Sequence, residues 1–224
     1  MKKYTIIVAG GKGERMLTEL PKQFICIGGK PLLMLTLTAF YQYDSAMEII
    51  LVLPVDQIEY WQGLCQNYSF TVAHRIVAGG ETRFHSVSKG LATIKESGLV
   101  AIHDGVRPFV SNETISRCFD MAKEKGSAIP SIEIVDSIRY FDKNGNNSVD
   151  RTKHCLIQTP QVFQTSIIKK AFKQAYSPLF TDDASVVEAM GEKIYLVDGN
   201  RENIKITTPF DLVLAESFLS NQAR

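Results

Sequence analysis

Apolar residues along this chain fall into short, β-branched blocks separated by amphipathic stretches, and the two patterns alternate. Tyr4-Thr5-Ile6-Ile7-Val8 reads as a buried first strand. Further strand-like blocks lie at Glu48–Leu53, Thr71–Val77, Leu99–Ile102, Ala128–Ile134, Cys155–Gln158 and Lys193–Val197. Helical spacing occupies Pro31–Tyr43, Thr82–Lys95, Thr114–Lys125, Ser166–Tyr176, Asp183–Met190 and Pro209–Leu219. Pro31 and Pro209 suit a first helical turn, where a missing N–H costs nothing. This alternation predicts an α/β domain: a mostly parallel, Rossmann-like sheet flanked by helices, with ligands at the carboxyl ends of the strands.

One segment departs from the pattern. Val135–Thr152 is polar, and Asn144-Gly145 is a turn signal between two short strand-like runs, which predicts a β-hairpin. An isolated hairpin is too small to support itself. It is therefore expected to protrude as an arm, at about 135–152, and to pack on a second copy of the chain. The 224 residues otherwise fit one domain, 1–224, with a substantial core.

Composition narrows the partners. With 45% hydrophobic and 22% charged residues the chain is an ordinary soluble one. Its net charge of +1 gives no bulk attraction to nucleic acid or an anionic membrane, so any cationic site must be local. Cys26, Cys65, Cys118 and Cys155 are scattered, without a Cys-x-x-Cys pair, and are expected to be reduced thiols. No leader pattern precedes the first strand and no apolar run approaches the ~20 residues of a membrane span. A cytoplasmic protein is expected.

The chemistry gathers where strand patterns end. Val8 leads into Ala9-Gly10-Gly11-Lys12-Gly13-Glu14-Arg15-Met16, followed by Pro21-Lys22-Gln23. Gly10, Gly11 and Gly13 allow tight bending and close approach to a ligand, and their amides can converge on an anion. Arg15 and Lys22 add two cations, which points to a nucleoside triphosphate. The spacing fits neither the dinucleotide fingerprint, because Met16 replaces its last glycine, nor the Walker phosphate loop. Val77–Val87 repeats the device, with Gly79 and Gly80 before a helix and Ser86 offering a hydroxyl. Asp104, after the next apolar strand, is placed to anchor a hydrated Mg²⁺ already bound to phosphates. His103 reads as structural, and Asp182 and Asp183 as helix-capping acids. Lys205, between Ile204 and Ile206, is expected to point into the cleft and hold a phosphate.

Taken in order, these strings resemble the sugar-phosphate nucleotidyltransferases. Val77–Val87, His103–Phe109, Val135–Ile138, Gln158–Phe163, Thr181–Ser185 and Asn203–Pro209 narrow the resemblance to the 2-C-methyl-D-erythritol 4-phosphate cytidylyltransferase family. The resemblance implies transfer of CMP from CTP to methylerythritol phosphate, with release of pyrophosphate and Mg²⁺ on the triphosphate. It implies catalytic roles for Arg15 and Lys22, and CTP contacts from Ala9, Gly10, Gly11, Gly13, Gly79, Gly80, Ser86 and Asp104. It implies that Arg151 and Lys205 hold the acceptor phosphate, supported by Arg107, Ser137 and Thr159, with the arm crossing to a partner in a homodimer. Glu202 stands where an aspartate is usual and is carried as an acceptor contact. A polyol-phosphate cytidylyltransferase acting on ribitol 5-phosphate shares most of the pattern. An oxidoreductase lacks its third glycine here, and a non-catalytic nucleotide-binding module has no use for paired cations beside a cleft acid.

Overall fold

The computed structural model describes residues 1–11 and 20–222. In chain order the first half forms β1 (Lys2–Val8), β2 (Cys26–Ile27), β3 (Lys30–Pro31), α1 (Leu32–Tyr43), β4 (Glu48–Leu53), α2 (Val55–Asn67), β5 (Arg75–Ala78), α3 (Arg83–Ala92) and β6 (Gly98–Asp104). Then follow α4 (Asn112–Lys125), β7 (Ser127–Glu133), β8 (Ile138–Asp142), β9 (Gly145–Val149), β10 (Cys155–Ile157), β11 (Gln161–Gln164), α5 (Thr165–Ala171), α6 (Asp183–Glu188), β12 (Leu196–Asp198) and α7 (Pro209–Gln222).

Strands β6, β1, β4 and β5 lie side by side and parallel, with β1 in the middle. Being covered on both faces, they carry apolar residues on both. Tyr4, Ile6, Ile50, Val52, Val100 and Ile102 pack against α3, α5 and α6 through Phe84, Val87, Ile168, Phe172 and Val187. Ile7, Leu51, Leu53, Leu99 and Ala101 face the other way, onto Leu37 and Phe40 of α1, Trp61 of α2 and Phe119 of α4. A smaller cluster of Ile27, Leu32, Phe109, Ile206 and Ala215 seats α7 against the small β2–β3 hairpin.

The eight-stranded sheet is completed by β11, β7, β10 and β12. Strand β11 runs antiparallel to both β6 and β7, and β10 is antiparallel to β7, so the parallel arrangement holds in the centre and gives way beyond β6. Neither β11 nor α2 was among the expected elements. Strand β11 is a four-residue run after a proline, Gln161–Gln164, too short to show a period. Helix α2 buries only Trp61 fully, so its apolar stripe is thin. Strand β5 begins at Arg75 rather than Thr71; just before it, the His74 ring accepts a 2.9 Å hydrogen bond from Trp61 Nε1.

The arm is present as its own two-stranded sheet, with Ile138 opposite Val149 and Asp142 opposite Gly145. The turn falls on Lys143 and Asn144, one residue earlier than the Asn-Gly signal suggests. Gly145 instead opens β9 with φ of +128°, which glycine alone takes without strain.

Candidate active site

Sequence order reverses direction at β1: β4 and β5 extend to one side, and β6 returns to the other. A crevice at the carboxyl ends is expected at such a switch point. It is there, a cleft of about 270 Å³ lined by Val8–Gly11, Lys22, Gln23, Leu53, Pro54, Gly79–Arg83, Ser86, Asp104, Val106 and Lys205. The strand exits are tied across one another. Ala9 N–H donates to Val52 O (3.0 Å), Gly79 N–H to Leu53 O (2.7 Å), and Gly105 N–H to Val8 O (2.9 Å).

Asp104 sits at the end of β6 with only 8% of its surface exposed. Its Oδ2 meets Arg107 Nε and Lys205 Nζ, each at 3.1 Å, and its Oδ1 lies 3.7 Å from Arg83 Nε. Burial opposes the charge on Asp104, but Arg83, Lys205 and Arg107 outweigh it and hold the carboxyl well below the usual carboxylate range. Lys205 reaches this point because Ile206 N–H donates to Val106 O (3.0 Å), fastening its loop to the exit of β6.

Behind Asp104 stands a fully buried histidine. His103 Nε2 pairs with Arg107 O (2.9 Å), an acceptor, so that nitrogen carries the proton. Nδ1 is then free to accept from the Thr159 hydroxyl (3.0 Å), whose oxygen accepts from Asp104 N–H (3.1 Å). Burial lowers the His103 pKa to about 4, so the ring is neutral at pH 7. Thr159 is thus a strut for the Asp104 backbone and is not among the residues that line the cleft. Arg107 likewise is spent inward, on Asp104 and on the Asn203 carbonyl (2.8 Å).

Helix α3 begins at the cleft. Thr82 caps it by accepting from His85 N–H, and Arg83 occupies its first turn. Arg83 forks onto fully buried Asp183 at 2.8 and 2.6 Å, a bidentate pair that fixes its plane beside Asp104. Burial weakens the guanidinium charge, but Asp183 and Asp104 overcome it and raise its pKa beyond the ordinary value. Asp182 is the N-cap of α6, in a capping box with Ser185, as its sequence implies. Asp183 does more than cap. Arg83 was missed as a site residue, and its signal was modest: a lone cation between the Gly79-Gly80 turn and Ser86. Ser86 Oγ accepts from Gly80 N–H (3.1 Å), and a Cβ on Gly79 would stand 3.1 Å from that oxygen, so the turn has no room for side chains.

Lys22 is buried in the cleft wall, with its Cε 3.3 Å from where a Cβ on Gly11 would lie. The turn Lys22–Phe24 is a single 3₁₀ turn. Gly13 and Arg15 lie outside the described residues.

Three expected acceptor residues stand away from this cleft. Ser137 and Arg151 are exposed at the base of the arm, where Arg151 donates to the Val135 carbonyl and lines a separate hollow with Glu133, Thr152 and His154. Glu202 turns to a different cavity and accepts from Asn200 Nδ2 (3.1 Å). The expectation came from its place before Asn203-Ile204-Lys205 in the family pattern, which does not encode which way the side chain points.

Among the described residues no group of three or more His, Cys, Asp or Glu is placed to hold a metal alone. Asp104 Oδ2 is engaged by two cations, whereas Oδ1 meets Arg83 only at 3.7 Å. That donor set fits a divalent ion carried mainly by phosphate oxygens, with one carboxylate oxygen from the protein, which is how Mg²⁺ commonly binds.

A family model for 2-C-methyl-D-erythritol 4-phosphate cytidylyltransferase matches residues 4–221. The enzyme of that name from Phocaeicola vulgatus is 57% identical over 216 residues, covering 96% of this chain and 99% of that protein. The one from Bacteroides fragilis is 56% identical over 219 residues, covering 98% of this chain and 100% of that protein. Among solved structures, the Thermus thermophilus enzyme of the same name superposes with a TM-score of 0.80 at 31% identity, covering 98% of this chain and 100% of the other. The 4-diphosphocytidyl-2C-methyl-D-erythritol synthase from Anaerococcus prevotii gives 0.83 at 30%, covering 98% and 96%.

Proposed function

The chain belongs to the 2-C-methyl-D-erythritol 4-phosphate cytidylyltransferase family, and from that premise we propose how its residues divide the reaction. The enzyme transfers CMP from CTP to 2-C-methyl-D-erythritol 4-phosphate in the non-mevalonate route to isoprenoid precursors, giving the CDP-alcohol and pyrophosphate. The observation that carries the division of roles is the meeting of Lys22, Asp104 and Lys205 around one cleft at the ends of β1 and β6.

CTP lies along the glycine turns, its base and ribose against Gly79, Gly80 and Ser86 and its triphosphate over Ala9, Gly10, Gly11 and Gly13. An oxygen of the acceptor phosphate attacks the α-phosphorus in line as the bond to the bridging oxygen of pyrophosphate breaks. No protein nucleophile is needed; rate comes from positioning and from fixed positive charge. Lys22 and Arg15 supply that charge at the α-phosphate, where it grows during the reaction. Lys205 orients the attacking phosphate from the β6 side, and Asp104 keeps its ammonium in place. Asp104 Oδ1 is also the group that would hold Mg²⁺ carried by the triphosphate, an ion that would offset charge on the leaving pyrophosphate.

Ser137 and Arg151, at the base of the arm, do not line this cleft, so we assign them to the cleft of a second copy, making the protein a homodimer through 135–152. Among the described residues no helix is long and apolar enough to cross a membrane. The nucleotide substrate and four unpaired cysteines suit the cytoplasm.

Pyrophosphate release with CTP and a panel of acceptors tests the reading. Release is expected with methylerythritol phosphate and only at background with ribitol 5-phosphate or no acceptor. Equal rates with ribitol 5-phosphate would reassign the acceptor.

A further inference from the structure

Helix α2 places no charge in the cleft, yet one of its faces grips the turn that carries Lys22. Gln57, Tyr60 and Trp61 are spaced i, i+3 and i+4, so they share that face. Gln57 Oε1 accepts from Gln23 Nε2 at 2.6 Å, and the same nitrogen donates to Ala9 O at 3.0 Å. The next residue, Phe24, is 2% exposed, meeting Tyr60 edge-on at 5.0 Å and stacking over Trp61 at 6.3 Å. Trp61 is itself tied down through its bond to His74. Lys22, Gln23 and Phe24 form one 3₁₀ turn, so they shift together or not at all.

The use of Gln23 is one-sided. Its donors join the glycine loop to α2, while its Oε1 is buried with no partner among the described residues. An unsatisfied buried acceptor costs stability. An apolar side chain would avoid that cost but would take the donor from the Ala9 carbonyl and from Gln57 Oε1, so the residue is set by the bridge it makes rather than by the space it fills.

We propose that Gln57 and Gln23 are positioning residues: their amide bridge locks the Lys22 turn to the Ala9 carbonyl and so aims the Lys22 ammonium at the α-phosphate. A lysine has four rotatable bonds, and its value as a preformed charge depends on its backbone being fixed. Misplacement by about 1 Å can cost as much as ~10²-fold in rate. The inference rests on Lys22 acting at the transition state.

The test is a double-mutant cycle in kcat, with methylerythritol phosphate saturating and CTP varied. Gln57→Met keeps the volume and removes the acceptor; Gln57→Glu keeps an acceptor. Gln57→Met is expected to lower kcat about tenfold with KM for CTP changed less than about twofold, whereas Gln57→Glu keeps most of the rate. In a Lys22→Ala background Gln57→Met is expected to change kcat by less than about twofold, because the group it positions is gone. Fluorescence of Trp61, the only tryptophan in the chain, reports in each variant whether the α2 face remains packed. An equal loss in both backgrounds overturns the positioning role, as does a raised KM with kcat unchanged. Lys22→Ala with normal kcat overturns the catalytic reading of Lys22 itself, a separate result.

Discussion

The cleft and the arm are built in opposite ways. In the cleft, Asp104 is held by Arg83, Arg107 and Lys205 in front and, through its backbone, by Thr159 and His103 behind. Arg83 is in turn clamped by Asp183, and the strand exits are cross-tied. Asp104, Arg83 and Lys205 each have a partner that fixes their position before any substrate arrives, which is what transition-state stabilisation by fixed dipoles and charges requires. The arm has a two-stranded ladder of its own and little else. Tyr140 is 60% and Phe141 80% exposed, although aromatic side chains of this size usually find cover. The charges of the cleft are positioned by contacts within one chain, whereas the arm leaves its aromatic side chains in solvent.

That contrast predicts where substitutions act hardest. Lys22→Ala removes a buried, preset charge from the cleft wall, and kcat is expected to fall by on the order of 10²–10³-fold. Pre-steady-state pyrophosphate release at saturating CTP and acceptor measures it. A raised KM with intact kcat would make Lys22 a ground-state contact and leave the cleft as a binding site only.

The second expectation is thermodynamic. His103 has its pKa lowered to about 4 by burial, against about 6.5 for an unfolded histidine. Between those values the unfolded chain binds the extra proton and the native chain does not, so stability is intact above about pH 6.5 and declines as pH falls toward 4. The full effect approaches about 3 kcal/mol. Urea titrations across that range are expected to give a slope that flattens in His103→Asn, while the Tyr140→Ser change on the arm leaves the slope as it was. An unchanged slope in His103→Asn would mean that the ring is not the buried neutral strut described above.

Much of the cleft was legible in the sequence, for a definite reason. Gly10, Gly11, Gly79, Gly80 and Asp104 directly follow apolar strands, and in a parallel sheet strand ends gather at one edge, so chain position alone brings them together. Side-chain direction is not encoded that way. Thr159 and Arg107 sit beside the cleft but turn inward, and Glu202 turns outward to Asn200. Helix α2 escaped because its role is carried by amide and aromatic contacts to Gln23 and Phe24, which no motif spacing announces. The hairpin was visible in its polarity and turn residues, but not the placement of its turn, which depends on where Gly145 takes its positive φ.

A weaker effect is expected from the arm. Arg151→Ala is expected to raise KM for methylerythritol phosphate by about tenfold, the loss of one exposed charge-assisted contact, and to leave KM for CTP unchanged. An altered KM for CTP would place Arg151 on the nucleotide side instead.

The comparison is broken or sharpened most cleanly by mixing. If each cleft draws Lys22 from one chain and Arg151 from the other, a dimer of one Lys22→Ala and one Arg151→Ala chain has one intact site and one doubly damaged site. After full subunit exchange at equal concentrations half of the dimers are of this kind, so about a quarter of all sites are whole. At acceptor concentrations well below KM, activity is expected to rise from about a tenth of wild type or less in either parent to about a quarter of wild type. Mass spectrometry of the mixture verifies that exchange has occurred. With exchange verified, activity no higher than the mean of the two parents would confine each site to one chain. The exposed aromatics of the arm would then need another occupant, and the arm would have no part in a neighbour's cleft.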